Sequence, residues 1–123
     1  MKKYNKSIGF YGEDLSAKFL EKEGYSILEK NFNCSSGEID IIAMKDEIIS
    51  FIEVKSRFSN SFGKPKESVT CSKQGRIINV AKYYLHIKKL YNYYIRFDVI
   101  EVNFHIDNSS KYELNFLKDA FRV

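Results

Sequence analysis

The chain has no tryptophan, one proline, two cysteines and no long apolar run. Each scarcity removes a class of protein. Nothing approaches the run of about 18 apolar residues that a membrane span needs. The opening Met1-Lys2-Lys3-Tyr4-Asn5-Lys6 lacks the apolar core of a secretory signal, so a cytoplasmic location and no membrane partner are expected. Cys34 and Cys71 stand far apart without C-x-x-C spacing, which suits reduced thiols better than a disulfide framework or a zinc site. His86 and His105 lack a spaced partner for zinc, and neither a Walker sequence nor a GxGxxG run is present to cradle a nucleotide. No repeat or low-complexity tract divides the 123 residues. At 44% hydrophobic, residues 1–123 are expected to form one domain with its own core.

What is there is a charge asymmetry. The net charge is only +4, yet residues 55–92 hold 9 basic side chains against 1 acidic one, while 1–54 hold 7 against 10 and 93–123 hold 4 against 5. A block of this kind offers a polyanion an electrostatic footprint, although a solvated helix face has the same composition.

Apolar residues at Ile8, Tyr11, Leu15 and Phe19 follow three-and-four spacing and predict a helix over about 7–23, with Gly24 as its stop. A short strand over 25–31 follows, then a turn at Cys34-Ser35-Ser36-Gly37. Ile39 to Met44 and Ile48 to Val54, separated by Lys45-Asp46-Glu47, read as an antiparallel hairpin. Residues 58–68 read as a surface loop. A second helix is expected over 72–90, with Ile77, Val80, Ala81, Tyr84 and Leu85 on its apolar face. A strand over 95–104, a turn at Asp107-Asn108-Ser109-Ser110 and an edge strand over 112–116 complete the order αβββαβ(β). This is an α/β chain with a mixed sheet flanked by helices.

The chemistry is concentrated on the hairpin. In Phe51-Ile52-Glu53-Val54-Lys55 alternate residues share a face, so Glu53 and Lys55 project together. A turn through Asp46 and Glu47 pairs Ile41 with Ile52, and on the same count Asp40 with Glu53. Opposed carboxylates repel, by up to about 1 kcal/mol in a sheet. A divalent cation offsets that repulsion. Magnesium or manganese prefers oxygen ligands, and Asp40 with Glu53 supplies the minimum, to which the Val54 carbonyl can add. Lys55 beside them stays protonated, suited to orienting water or meeting charge on a phosphate. A Glu-x-Lys pair is equally the pattern of a surface ion pair. Asp40 on the apolar run Ile39-Asp40-Ile41-Ile42 is harder to explain without function.

Other residues surround this centre. Glu13 on the first helix is a candidate further acid, or else an acid placed near the start of the helix to complement its dipole. Lys73 lies one turn before Ile77 and points toward the sheet, either to phosphate or as a snorkelling lysine. Arg96 and Asp98 share a strand face and are expected to form a supporting ion pair. The tyrosines among the basic residues, including Tyr83, Tyr84, Tyr91, Tyr93 and Tyr94, suit either base stacking or packing.

The run Gly37-Glu38-Ile39-Asp40-Ile41-Ile42-Ala43 followed by Phe51-Ile52-Glu53-Val54-Lys55-Ser56-Arg57 resembles the YraN-like family of bacterial proteins. The likeness extends to Gly9 through Ala17, Gly24-Tyr25 before Asn31, Gly63 with Pro65, Lys73-Gln74 with Arg76, Arg96 through Val99, and Asp119-Ala120-Phe121. The resemblance implies a restriction-endonuclease-like PD-(D/E)xK fold similar to archaeal Holliday-junction resolvases. Asp40, Glu53 and Lys55 would then be the catalytic core, Glu13 an auxiliary acid, and Lys73 or Gln74 a helix-borne helper. Arg57, Lys73, Gln74 and Arg76 are the expected nucleic-acid contacts. Ile39 replaces the proline of the superfamily's name, and Asn33 and Gly75 stand where basic residues are frequent. The expectation is a Mg2+- or Mn2+-dependent endonuclease acting on DNA, branched or flap DNA included, for which resolvase-like chemistry favours a homodimer. The rival is a nucleic-acid-binding or scaffold protein that keeps the fold and does not cut.

Overall fold

The computed structural model describes residues 2–59, 69–105 and 111–123. The chain runs α1 (Lys2–Lys22), β1 (Ser26–Cys34), β2 (Gly37–Lys45), β3 (Ile48–Ser59), α2 (Cys71–Ile87), β4 (Tyr94–His105) and β5 (Tyr112–Phe121). The five strands form one sheet in the order β1-β2-β3-β4-β5. Among the described strands only β3 and β4 are parallel neighbours. Parallel neighbours require a crossover, and α2 supplies it. The predicted αβββαβ(β) order holds with both final strands present.

Each helix covers one face. Ala17 and Leu20 of α1 pack with Ile41, Ala43, Ile52, Ile100 and Val102. On the other face Ile77, Val80, Ala81 and Tyr84 of α2 pack with Ile39, Ile42, Phe51, Phe97 and Val99. The apolar side predicted for α2 is therefore the buried one. That of α1 is rotated, because Tyr11 is 53% exposed while Gly12, Ser16, Ala17 and Leu20 are buried. Small residues let this helix lie close to the sheet. The side chain of Ile8 lies outside the described residues.

Several elements are longer than the local pattern predicts. The first helix begins at Lys2, so Glu13 lies in its middle and not in a first turn whose dipole it could complement. Every β3 residue from Ile48 to Ser59 is matched by one on β4, which carries the strand past Val54 through Phe58. The final strand continues to Phe121, whose ring stacks on Phe97 at 5.1 Å. A register shift near Phe97 and Val99 accommodates Asp119, whose φ is 57°. Its N–H is taken by the Asp98 carboxylate at 2.8 Å. The rest of the predicted surface loop, 60–68, and the turn at Asp107–Ser110 lie outside the described residues.

The chain leaves α1 through Gly24, where φ is 94°. Glycine adopts that conformation without the cost a side chain would add. Thr70 caps α2, its hydroxyl accepting the backbone N–H of Lys73 at 3.2 Å. Among the described residues no helix is long and apolar enough to cross a membrane.

Candidate active site

The hairpin has the predicted register. Five pairs run from Ile41↔Ile52 to Lys45↔Ile48, and Asp46 turns the chain with φ 56°. The ladder stops there, one pair short of Asp40 and Glu53. Side-chain alternation also slips at this point, because Ile39 packs toward α2 while Ile41 packs beneath α1. Strict alternation would put both on one face. The strands part, and the Asp40 Oδ2 atom accepts the Val54 N–H at 2.8 Å in place of a backbone partner.

Asp40 and Glu53 meet through their side chains, close enough for each carboxyl group to act on the other. Burial, then the Glu53 contact and its charge, push Asp40 up from 3.8 to about 8, against the lowering effect of the Val54 N–H. Glu53 is 7% exposed and forms an ion pair through Oε2 with Lys73 Nζ.

The pair lies in a cavity of about 310 Å³ lined by Glu13, Gly37, Glu38, Asp40, Glu53, Val54, Lys73, Arg76 and Ile77. Both helices contribute. Burial raises the Glu13 pKa, opposed by a hydrogen bond with Asn31 and reinforced by the charge of Glu38. The Oε1 atom of Glu13 is buried without a hydrogen-bond partner among the described residues. Gly12 brings this turn of α1 onto β3, since a Cβ there would overlap Ser56 Oγ.

Six of the sequence candidates, Glu13, Asp40, Glu53, Val54, Lys73 and Arg76, line one cavity. The other three do not line it. Lys55 is half-buried, two residues beyond Glu53 on β3, with Glu101 of β4 as its register partner. Arg57 lies 3.8 Å from the buried Glu101 carboxylate. Gln74 turns back to donate its side-chain N–H to the Val69 carbonyl at 2.8 Å, a role at the start of α2. The basic block also divides. Lys73 and Arg76 face the cavity, whereas Lys88 and Lys89 follow the C-terminus of α2, roughly 22 Å along the helix at 1.5 Å per residue. Cations at that end complement the helix dipole.

Asn31 and Glu38 belong to the site and were not predicted as part of it. Asn31 has φ 55°, a conformation in which asparagine is enriched, but sequence does not reveal which asparagine adopts it. Glu38 is an exposed acid on the rim, like many surface acids in pattern. The expected ion pair of Arg96 and Asp98 forms at 2.8 Å, in a different place from the carboxylate cavity. Of the tyrosines, Tyr84 is 3% exposed and packs edge-on against Phe32 and Phe51, while Tyr91 and Tyr94 are largely exposed.

The donor set fits a hard divalent cation. Two carboxylates are held together against their repulsion, and a third acid with an unpartnered buried oxygen lines the same cavity. Among the described residues no three His, Cys, Asp or Glu side chains are grouped closely enough to hold a metal ion by themselves. Further ligands would come from the Val54 carbonyl, water and substrate.

A mixed five-stranded α/β domain with paired carboxylates at the point where two strands part is the class that fold and site define. Within it the chain belongs to the Uncharacterised protein family UPF0102, the YraN-like family, whose profile matches residues 12–102. A UPF0102 protein of Clostridium perfringens is 95% identical over 123 residues, covering both chains in full. Others from Clostridium botulinum and Clostridium tetani are 54% and 48% identical, again over the whole of both chains.

Proposed function

We propose that this protein is a metal-dependent endonuclease that hydrolyses DNA phosphodiesters. The observation that carries this reading is the pairing of half-buried Asp40 with buried Glu53 in a cavity whose α2 side presents Lys73 and Arg76. Buried like charges are costly, and a site that accumulates them is suited to a cation and an anionic substrate together. Asp40 and Glu53, with the Val54 carbonyl, would hold Mg2+ or Mn2+. Bound there, the ion would neutralise phosphate charge and make water more acidic.

The chain's own groups have separable roles. Val54 fixes Asp40 through its N–H, so the carboxylate is oriented before any ion arrives. Arg76 offers a planar guanidinium to phosphate oxygens on the cavity rim. Lys55, further along β3, is assigned to orienting water at the reacting phosphate. Glu13 is assigned to accepting a hydrogen bond from that water through Oε1.

Labelled linear, flap and four-way DNA incubated with Mg2+ or Mn2+ tests this directly, with Asp40→Ala and Lys55→Ala as comparisons. Metal-dependent cutting that disappears in both variants supports the hydrolase and identifies the preferred DNA shape. Salt-sensitive DNA binding without cutting, unchanged in the variants, replaces it with a non-cleaving nucleic-acid-binding protein on the same fold. Sedimentation of the cutting species on four-way DNA would show whether two copies act together.

A further inference from the structure

The contact between Lys73 and Glu53 crosses the cavity from helix to sheet. Glu53 is nearly buried, whereas the Lys73 side chain is 47% exposed. The base of this lysine is fixed, because its N–H bonds to the hydroxyl of Thr70 at the start of α2. Its ammonium sits on a flexible four-carbon stem. A fixed root with a mobile charged tip is the arrangement of a group that can hold one partner and release it for another.

We propose that Lys73 is the resident counter-ion of the carboxylate pair, which a divalent cation displaces from Glu53 and which then contacts the substrate phosphate. The inference rests on the hydrolase reading for its cation and extends it by assigning the exchange to one side chain. An ammonium and a divalent ion on Glu53 draw on the same carboxylate and repel each other at short range. Lys73 and Arg76 line the α2 side of the cavity together, so a displaced ammonium remains within it. The exchange also keeps the cavity near charge balance in both states. Without the cation, Lys73 offsets Glu53; with cation and phosphate both present, the ammonium meets the added negative charge.

The test is calorimetric titration of the full chain with Mg2+ at pH 8.5, where protons compete least for the carboxylates. Wild type, Lys73→Met, Lys73→Gln and Lys82→Met are compared, with circular dichroism verifying the fold. Removing a competing cation is expected to tighten Mg2+ binding by roughly 3- to 10-fold in both Lys73 variants, allowing for solvent screening of a half-exposed group. Lys82 is exposed on α2 and does not line the cavity, so Lys82→Met is expected to bind Mg2+ as wild type does. Binding of a DNA duplex in the presence of Mg2+ should weaken several-fold in the Lys73 variants despite the tighter metal. Unchanged or weaker Mg2+ binding in both Lys73 variants overturns the proposal while leaving the hydrolase reading intact if wild type cuts DNA. Tighter Mg2+ binding and weaker DNA binding without any cutting by wild type sustains the exchange and removes the hydrolase. Absence of Mg2+ binding in wild type overturns both.

Discussion

The carboxylate of Asp40 accepts the N–H of Val54 at 2.8 Å, so a side chain bridges β2 and β3 just past the last pair of their ladder. That bond fixes half-buried Asp40 beside buried Glu53. Burial and the neighbouring Glu53 carboxylate favour the protonated form of Asp40.

A pH dependence follows. The folded pKa of Asp40 is raised from 3.8 to about 8, chiefly by burial. Between those values the unfolded chain has released a proton that the folded chain keeps, so stability is lost as pH rises through this window. Asp40→Asn mimics the protonated form and can still accept the Val54 N–H. Thermal unfolding at pH 8 without metal should show Tm raised by about 3 °C or more, with a flatter profile between pH 5 and 8. A lower Tm at pH 8 would contradict a raised Asp40 pKa in the folded chain.

The same proton must leave before a cation can use both carboxylates. On the metal reading, Mg2+ affinity is therefore expected to rise by up to about tenfold per pH unit from 6 to 8 and to level off above, with close to one proton released per ion at the lower pH. Calorimetry in two buffers of different ionisation enthalpy measures that release directly. Affinity independent of pH would place the ion elsewhere.

Gly12 and Ser56 set the approach of α1 to the sheet. Gly12→Ala is expected to destabilise the fold by about 1–3 kcal/mol, because the added Cβ overlaps the Ser56 hydroxyl. Ser56→Gly should recover a large part of that loss in the double variant, as read from denaturant midpoints. Ser56→Ala alone should cost little, since its buried hydroxyl has no hydrogen-bond partner among the described residues to lose. Simple additivity in the double variant would show that the two residues do not meet.

The Arg96–Asp98 pair is a support rather than a participant. Arg96 Nε bonds both Asp98 oxygens, at 2.8 and 3.1 Å, and Nη2 reaches the Tyr25 hydroxyl at 2.8 Å and Ser50 at 3.1 Å. Asp98 is fully buried and also holds the Asp119 N–H. Asp98→Ala leaves the guanidinium without its counter-charge and is expected to cost about 3–5 kcal/mol. Replacing both partners, as Arg96→Leu with Asp98→Leu, should cost less than Asp98→Ala alone. A double variant no more stable than the single would assign the cost to packing.

Much was legible in the sequence where structure depends on near neighbours. Runs rich in β-branched residues on either side of Lys45-Asp46-Glu47 determined the hairpin and its register, because such residues suit a strand and the short polar break fixes the count across it; a periodic apolar face determined α2, because it marks the side that meets the core. Family membership was equally legible, carried by residues from Gly9 to Phe121. The asparagine beside Glu13, the turn of Gln74 away from the cavity, the placement of Lys55 and Arg57 outside its lining, and the continuation of β5 to Phe121 depend on partners distant in sequence. So does the meeting of Asp40 and Glu53. Counting the hairpin would have put them in a regular pair, whereas the strands have already parted and the carboxyl groups meet in the gap. The sequence by itself determined which residues could carry charge and which faces had to be buried. Only the tertiary structure decided which charges share a cavity, because that depends on where α1 and α2 cross the sheet and on where its ladder ends.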